Sequence, residues 1–394
     1  MAAACVAAMG EMPVPCGDPV AYAPVAPAAA EDEVTAVGPA EQASALADMA
    51  RSAFRALDLA SLEEFLTRQP LSLLARAEDG RGPLWWAWEA QNKAALQLLA
   101  CLGFDLLTEE TDNAGIAPCT LGGEDWWRLA EEARQIAATA ESKTLYVIRH
   151  GFSEAQEADR RQKGSRRNPR LRDAALHSEG VAQATRLRSA ASEWNVQAVL
   201  CSPLRRAVHT AALVFGARAQ GDSWWDKIAE EPAAPSLELS VNLREHPLDR
   251  PENIGLPLQE MRRWLSTIPA PEPVGLEELG SGRQQLWDPE VEWATIQHLS
   301  VPNARFAAQN ALREVQDVVI RRLPTFFGEI LQRKETVLAI VSHYGSINRL
   351  LQAAVGIKPN LSNCGAVRLR LTRSASGSAW LCGPPEPLPC GSVV

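Results

Sequence analysis

The residues best able to do chemistry in this chain sit in three short runs and one separate segment. Arg149-His150-Gly151 follows the apolar run Leu145-Tyr146-Val147-Ile148. Ser202-Pro203-Leu204-Arg205-Arg206-Ala207 follows the run 196–200, and Ser342-His343-Tyr344-Gly345 follows 337–341. Each run reads as a buried strand, and in open α/β sheets functional groups gather just beyond the C-terminal strand ends. Two histidines and at least two arginines are therefore expected on one rim. That set suits a phosphate. Planar guanidinium forks bind phosphoryl oxygens two at a time, and a neutral imidazole can attack phosphorus and carry the group covalently. Gly151 leaves room for close backbone approach of a substrate. The leaving oxygen still needs a proton, which His150 cannot give while it holds the phosphoryl group. Glu245, in Leu243-Arg244-Glu245-His246, is the candidate, acting first as acid and then as base on water. Arg205 and Arg206 are rivals for the phosphate. This chemistry calls for no metal and no cofactor.

The elements that must position these groups follow from hydrophobic spacing. Besides the three strands, 367–371 reads as a fourth. Residues 179–194 carry Val181, Ala184, Leu187 and Ala191 on one helical face. Further helices are expected at 204–215, 303–332 and 347–355, with Pro324 kinking or splitting the long one. Strands alternating with helices mean an α/β domain with a mostly parallel sheet. Residues 266–300, rich in Pro and Gly, read as an irregular insertion.

Upstream, the segment 46–140 reads as short helices. Leu57, Leu59, Leu62, Phe65 and Leu66 suggest an amphipathic helix ending near Pro70. The stretch from Glu78 through Pro83-Leu84 to Phe104-Asp105 resembles an ankyrin repeat: a turn, a first helix opened by Pro-Leu, and a Leu-rich second helix closed by Gly. The run 112–118 resembles the start of another repeat, 33 residues after Asp79. One repeat cannot bury its own face, so this is a degenerate array leaning on the rest of the protein, or a plain helical bundle. Residues 1–45, Ala- and Pro-rich with few large apolar side chains, are expected to form a disordered tail, and 373–394 a C-terminal tail.

Residues 143–372 resemble the histidine phosphatase superfamily, with its phosphoglycerate-mutase-like fold. The resemblance rests on Arg149-His150-Gly151, on Asp173-Ala174-Ala175-Leu176 with Gly180 and Gln183, and on Ser202–Ala207 with Thr210-Ala211. Leu243-x-Glu245, Ser342-His343-Tyr344-Gly345 and Asn363-Cys364 complete it, in order. It implies a three-layer sandwich, His150 as phosphohistidine nucleophile, Glu245 as proton donor, and Arg149, Arg206 and His343 as the phosphate pocket. The register of the motif selects Arg206 and leaves Arg205 solvated. Where the family usually has Asn five residues after Gly151, this chain has Gln156, a candidate substrate contact. Residues 160–172 hold seven basic and no acidic residues. They read as a solvated loop or as a lid recruiting a second phosphate or an acidic segment. A polar loop there is poorly suited to keeping water from a phosphoenzyme, so hydrolysis is expected over mutase chemistry, with a non-catalytic phosphate-binding scaffold as the third possibility.

Composition agrees with a folded chain. Its 394 residues are 46% hydrophobic and 22% charged, ordinary for a globular protein, and no apolar run approaches a membrane span. The net charge of −9 is unevenly spread: residues 1–142 carry 8 Lys/Arg against 22 Asp/Glu, residues 143–394 carry 31 against 26. The acidic part is a poor nucleic-acid binder, and the mildly basic part suits a small anion. The expected partners are a phosphorylated small molecule or phosphoprotein, and a protein recruited by the ankyrin-like module, with no nucleic acid or membrane. The eight Cys show no CxxC pair, and Cys201 reads as an inert strand residue. No Lys or Arg precedes Arg51, which argues against a secretory or transit signal, so the cytoplasm is expected. His177, His209 and His298 read as surface or capping residues, His246 as a neighbour of Glu245, and the pairs Trp85-Trp86, Trp126-Trp127 and Trp224-Trp225 as packing.

Overall fold

Apolar residues on both faces of Ser142–Arg149 carry strand β1 through the middle of a sheet, with the Leu145–Ile148 stretch wholly buried. The computed structural model describes residues 39–108, 111–123, 125–216, 235–268, 273–276, 279, 288–300, 304–377 and 379–388. The sequence divides into two compact units, Met1–Gln42 and Ala43–Val394. Of the first, only 39–42 are described, in helix α1 (Pro39–Ala56), so the disordered-tail reading of 1–45 lies outside the described residues except at 39–45, which are helical. The second unit contains both the helical and the α/β regions.

The sheet order is β3–β2–β4–β1–β5–β6, with β7 also on β5. Here β2 is Ala198–Cys201, β3 Ser236–Leu239, β4 Val337–Ser342, β5 Ala366–Arg373, β6 Trp380–Cys382 and β7 Glu386–Pro387. Strands β3, β2, β4 and β1 are parallel, in registers such as Leu200↔Ile340 and Val147↔Ile340. The sheet is nonetheless mixed rather than mostly parallel throughout: β5 runs antiparallel to β1, and β6 and β7 antiparallel to β5. The cause is the return of the chain to the C-terminal rim before β5 begins, where Cys364 N–H donates to Arg149 O at 3.1 Å. The expected tail 373–394 therefore builds sheet as far as Pro387. Apolar runs this short carry little periodicity, which is why β3, β6 and β7 escaped the pattern.

Alternation along the strands sorts side chains to two faces. Tyr146 and Ile148 pack with Ala184 and Leu187 of α7 (Ser178–Ala191) and Ala207, Val208 and Ala211 of α8 (Arg205–Phe215). Leu145 and Val147 pack with Leu323, Phe326 and Ile330 of a 27-residue helix (Arg305–Leu331) and with Ile347, Leu350 and Leu351 of the helix Tyr344–Val355. Pro324 lies inside the long helix without splitting it. Buried Val319, Leu323, Phe326 and Phe327 flank it on both sides, and that burial offsets the lost backbone hydrogen bond. Part of the expected irregular insertion is also helical, at Pro289–Gln297.

The upstream region packs α2 (Leu59–Arg68), α3 (Pro83–Glu89), α4 (Lys93–Cys101) and α5 (Trp126–Thr139) around Phe54, Trp86, Trp88, Leu96 and Leu99, with Leu381 of β6 joining that core. Two turns 33 residues apart stack on each other: Asn113 N–H donates to Asp79 O at 2.9 Å, and Arg81 Nε meets Asp112 Oδ2 at 2.7 Å. After the second turn the chain makes a 3-10 turn, Pro118–Gly122, before α5. A Cβ on Gly122 would lie 2.7 Å from the Trp88 ring, so the close approach there requires glycine.

Candidate active site

The C-terminal rim of β1, β2 and β4 closes around a cavity of about 240 Å³ whose walls include Arg149, His150, Gln156, Arg166, Arg206 and Glu245. His150 follows β1 and is 5% exposed. Its Nδ1 lies 2.7 Å from Gly151 O. A carbonyl only accepts, so Nδ1 carries the proton and Nε2 keeps its lone pair. Burial, reinforced by the Arg206 and Arg149 guanidiniums, drives the imidazolium pKa well down. His150 is thus neutral, with Nε2 available.

Arg206 stands in the first turn of α8, 2% exposed, with Nε 3.3 Å from His150 Nε2. Its fork is fixed from behind, Nη1 donating to Glu252 O at 2.5 Å and Nη2 to Asn253 Oδ1 at 2.9 Å. Asn253 in turn donates through Nδ2 to Pro247 O at 2.8 Å. Arg149 donates to Leu361 O at 2.8 Å and lies 5.2 Å from the Tyr344 ring centre. Glu245 sits opposite, its carboxylate accepting from the backbone N–H of His246 at 2.9 Å and of Gly345 at 3.3 Å. Arg244, beneath it, is fully buried and forms a bidentate pair with Glu292 at 2.7 and 2.6 Å.

His343 does not line the cavity itself. Its ring lies 4.9 Å from that of His150, and its Nε2 is 2.8 Å from Ser202 Oγ. Burial, then Arg206 and His150, hold it neutral as well. Gln156 lines the wall while closing a capping box with Ser153 on the helix Glu154–Arg161, and its amide meets Asn363 at 3.0 Å. Asn363 Nδ2 donates to His150 O at 3.0 Å, tying the segment before β5 to the rim.

One expectation is corrected here. Arg205 is not solvated: its side chain is 22% exposed, Nε and Nη2 donate to Asp173 O at 2.9 and 2.6 Å, and its backbone N–H donates to Asp173 Oδ1. It braces the turn before α7 rather than reaching the cavity. The close approach at Gly151 is to Gly180 of α7, whose carbonyl would stand 2.7 Å from an added Cβ. The basic run 160–172 is largely exposed, as a solvated loop would be, and two short 3-10 turns, Ser165–Arg167 and Pro169–Leu171, shape it. Within it Arg172 donates to Gly255 O and Pro289 O, and Arg166 reaches the cavity wall beside Asp159 (3.3 Å) and Glu252 (3.6 Å).

Sequence reasoning missed Arg166, Ser202, Glu252 and Asn253 as parts of the site. The basic run and the motif around Ser202 held a signal, whereas Glu252 and Asn253 had none. His177 caps α7 by accepting from Glu179 N–H at 3.2 Å, and buried Cys201 has its thiol pKa pushed well up. Trp127 is 59% exposed and so does not pack, whereas Trp85 and Trp86 do. Trp224-Trp225 lies outside the described residues. Among the described residues no three His, Cys, Asp or Glu side chains group as a metal site, and no helix is long and apolar enough to cross a membrane.

Residues 145–230 match the family model of the Histidine phosphatase superfamily (branch 1). No curated protein matches the chain. Among solved structures it is similar to a putative alpha-ribazole-5'-P phosphatase from Escherichia coli, at 15% identity and TM-score 0.33, covering 59% of this chain and 93% of that one. It is also similar to phosphoglycerate mutase from Bacillus anthracis, at 17% identity and TM-score 0.35, covering 63% and 93%. A phosphoserine phosphatase from Entamoeba histolytica, in complex with 3-phosphoglyceric acid, matches at 15% identity and TM-score 0.32, covering 63% and 98%.

Proposed function

We propose that this histidine-phosphatase-type chain is a metal-independent phosphatase that hydrolyses a phosphomonoester through a phosphohistidine. The observation that carries this is the pairing of a neutral His150, its Nε2 lone pair freed by the Nδ1–Gly151 contact, with the buried guanidinium of Arg206 at 3.3 Å. In the proposed reaction His150 Nε2 attacks phosphorus, the ester P–O bond breaks, and Glu245 delivers a proton to the leaving oxygen. Water then attacks the phosphohistidine, Glu245 takes its proton, and the P–N bond breaks to release inorganic phosphate. Arg149 and Arg206, in the cavity wall, hold the phosphoryl oxygens; His343, its ring 4.9 Å from that of His150, adds a donor from behind that wall, and Gln156 borders them. The wall formed by Arg166, Arg250, Glu252 and Gln156 is polar. It offers no apolar cover against water, which favours hydrolysis over mutase transfer.

The stacked turns at Asp79 and Asp112 support reading the helical region as a degenerate ankyrin-like pair that recruits a protein partner. The substrate would be a phosphorylated small molecule or phosphoprotein, and the compartment the cytoplasm. The test is phosphate release from a panel of phosphomonoesters in EDTA. Parent turnover with none in His150→Ala, and an acid-labile, base-stable phosphoenzyme in the parent alone, is the expected result. Equal turnover in the two proteins sinks the proposal.

A further inference from the structure

Ser202 opens the turn between β2 and α8 with no exposed surface, and its hydroxyl meets two groups. Leu204 N–H donates to Oγ at 3.3 Å, and His343 Nε2 lies 2.8 Å away. Leu204 N–H can only donate, so among the described residues the one acceptor bonded to the Ser202 hydroxyl is His343 Nε2. A buried hydroxyl that left its proton unpaired would forfeit a hydrogen bond that water cannot replace. His343 Nε2 must then be the unprotonated nitrogen. A neutral imidazole has one N–H, and burial with Arg206 nearby keeps this ring neutral. Its proton therefore resides on Nδ1, which is buried and has no hydrogen-bond partner among the described residues.

We infer that Ser202 is a positioning residue that locks His343 in the Nδ1–H tautomer, so that a lone donor is held ready for a phosphoryl oxygen. An unpartnered N–H in a ring 4.9 Å from that of His150 is a poor feature for stability and a useful one for a site awaiting an anion. The two histidines would then share one tautomer for opposite ends. In His150 the proton on Nδ1 faces a carbonyl and frees Nε2 to attack. In His343 the proton on Nδ1 is itself the working group, and Nε2 is spent on Ser202. The alternative arrangement, Nε2–H donating to Ser202 Oγ, leaves the serine proton with no acceptor and gives the anion no N–H from this ring. The inference rests on the phosphatase reading only for the use made of the donor; the tautomer itself stands apart from it.

The experiment is ¹⁵N NMR of the full chain labelled at histidine, with His343 assigned by loss of its signals in His343→Asn. The parent is expected to show a protonated Nδ1 and an unprotonated, hydrogen-bonded Nε2 at this ring in the resting protein. Ser202→Ala is expected to give a mixture of tautomers and a kcat about tenfold lower with KM nearly unchanged. That loss falls short of the ~10²–10³ seen when a transition-state donor is removed outright, because the ring still samples the working tautomer. Ser202→Thr, which keeps the hydroxyl, should restore both readouts. A parent His343 protonated on Nε2, or a tautomer unchanged in Ser202→Ala, overturns the inference. Should Ser202→Ala fail to fold, the parent spectrum still decides. A parent with the stated tautomer and no turnover on any phosphomonoester would refute the phosphatase reading and leave the tautomer assignment standing.

Discussion

Glu292→Gln tests the ion pair buried beneath the site. Arg244 is fully buried and Glu292 nearly so; their two hydrogen bonds are 2.7 and 2.6 Å, and Arg244 Nη2 also donates to Asn253 O at 3.2 Å. The attraction within such a pair is largely offset by the cost of taking both charges out of water. Its presence alone therefore says little about stability. Breaking it from one side is different, since a guanidinium then faces a neutral amide with no route to solvent, at about 3–5 kcal/mol. Gln keeps a carbonyl acceptor, which places the expected loss near the lower end, about 3 kcal/mol. Replacing both partners, Arg244→Met with Glu292→Leu, removes the charge altogether. What remains is the Asn253 carbonyl without its donor, about 1 kcal/mol. Urea unfolding of the parent, Glu292→Gln, the singles Arg244→Met and Glu292→Leu, and their double, by linear extrapolation, reads these values. The double variant should be more stable than Glu292→Gln. A Glu292→Gln within 1 kcal/mol of the parent, or a double as unstable as the two singles summed, refutes the reasoning. KM should also rise in Glu292→Gln, because the residue whose carbonyl Arg244 holds, Asn253, orients Arg206 through its side chain.

Asn253→Ala removes the acceptor of Arg206 Nη2 and should lower kcat/KM about 10-fold or more, with unfolding free energy falling by only about 1–2 kcal/mol; a loss of stability without loss of activity would count against the positioning role. Asp173 is fully buried, and burial pushes its pKa up to about 6 despite Arg205. Its folded pKa exceeds its unfolded one, so its contribution is full below about pH 4 and is lost as pH rises through about 6. Asp173→Asn should thus be more stable than the parent above pH 6, by up to about 3 kcal/mol, and equal to it near pH 4 in urea titrations. His150 and His343 have depressed pKa values, so the stability they contribute is full above about pH 6.5 and falls at lower pH. A double His150→Gln/His343→Gln variant should flatten that acid limb, and an unchanged limb would show that other groups set it.

The central strands and the groups at their ends were legible in the chain because burial on both faces leaves runs of Leu, Val and Ile that no loop would carry. Arg149, His150, His343 and the Arg205–Arg206 pair were placed on one rim by that pattern, since each ends or follows a strand, and the register of the motif chose Arg206. The direction of β5 was not legible, because an apolar run reports burial and not strand polarity. The partners of the site were likewise decided only in three dimensions. Glu252 and Asn253 hold Arg206 from 46 and 47 residues away, in a segment to which hydrophobic spacing assigned no element. Arg166 was one of seven basic residues within 160–172 that spacing cannot rank, and the fold alone set it in the cavity wall while sending Arg172 to backbone carbonyls. Arg205 and Arg206 are neighbours on one helical turn, about 100° apart around its axis. That rotation directs one toward Asp173 and the other toward His150, a choice made by how α8 packs against the sheet.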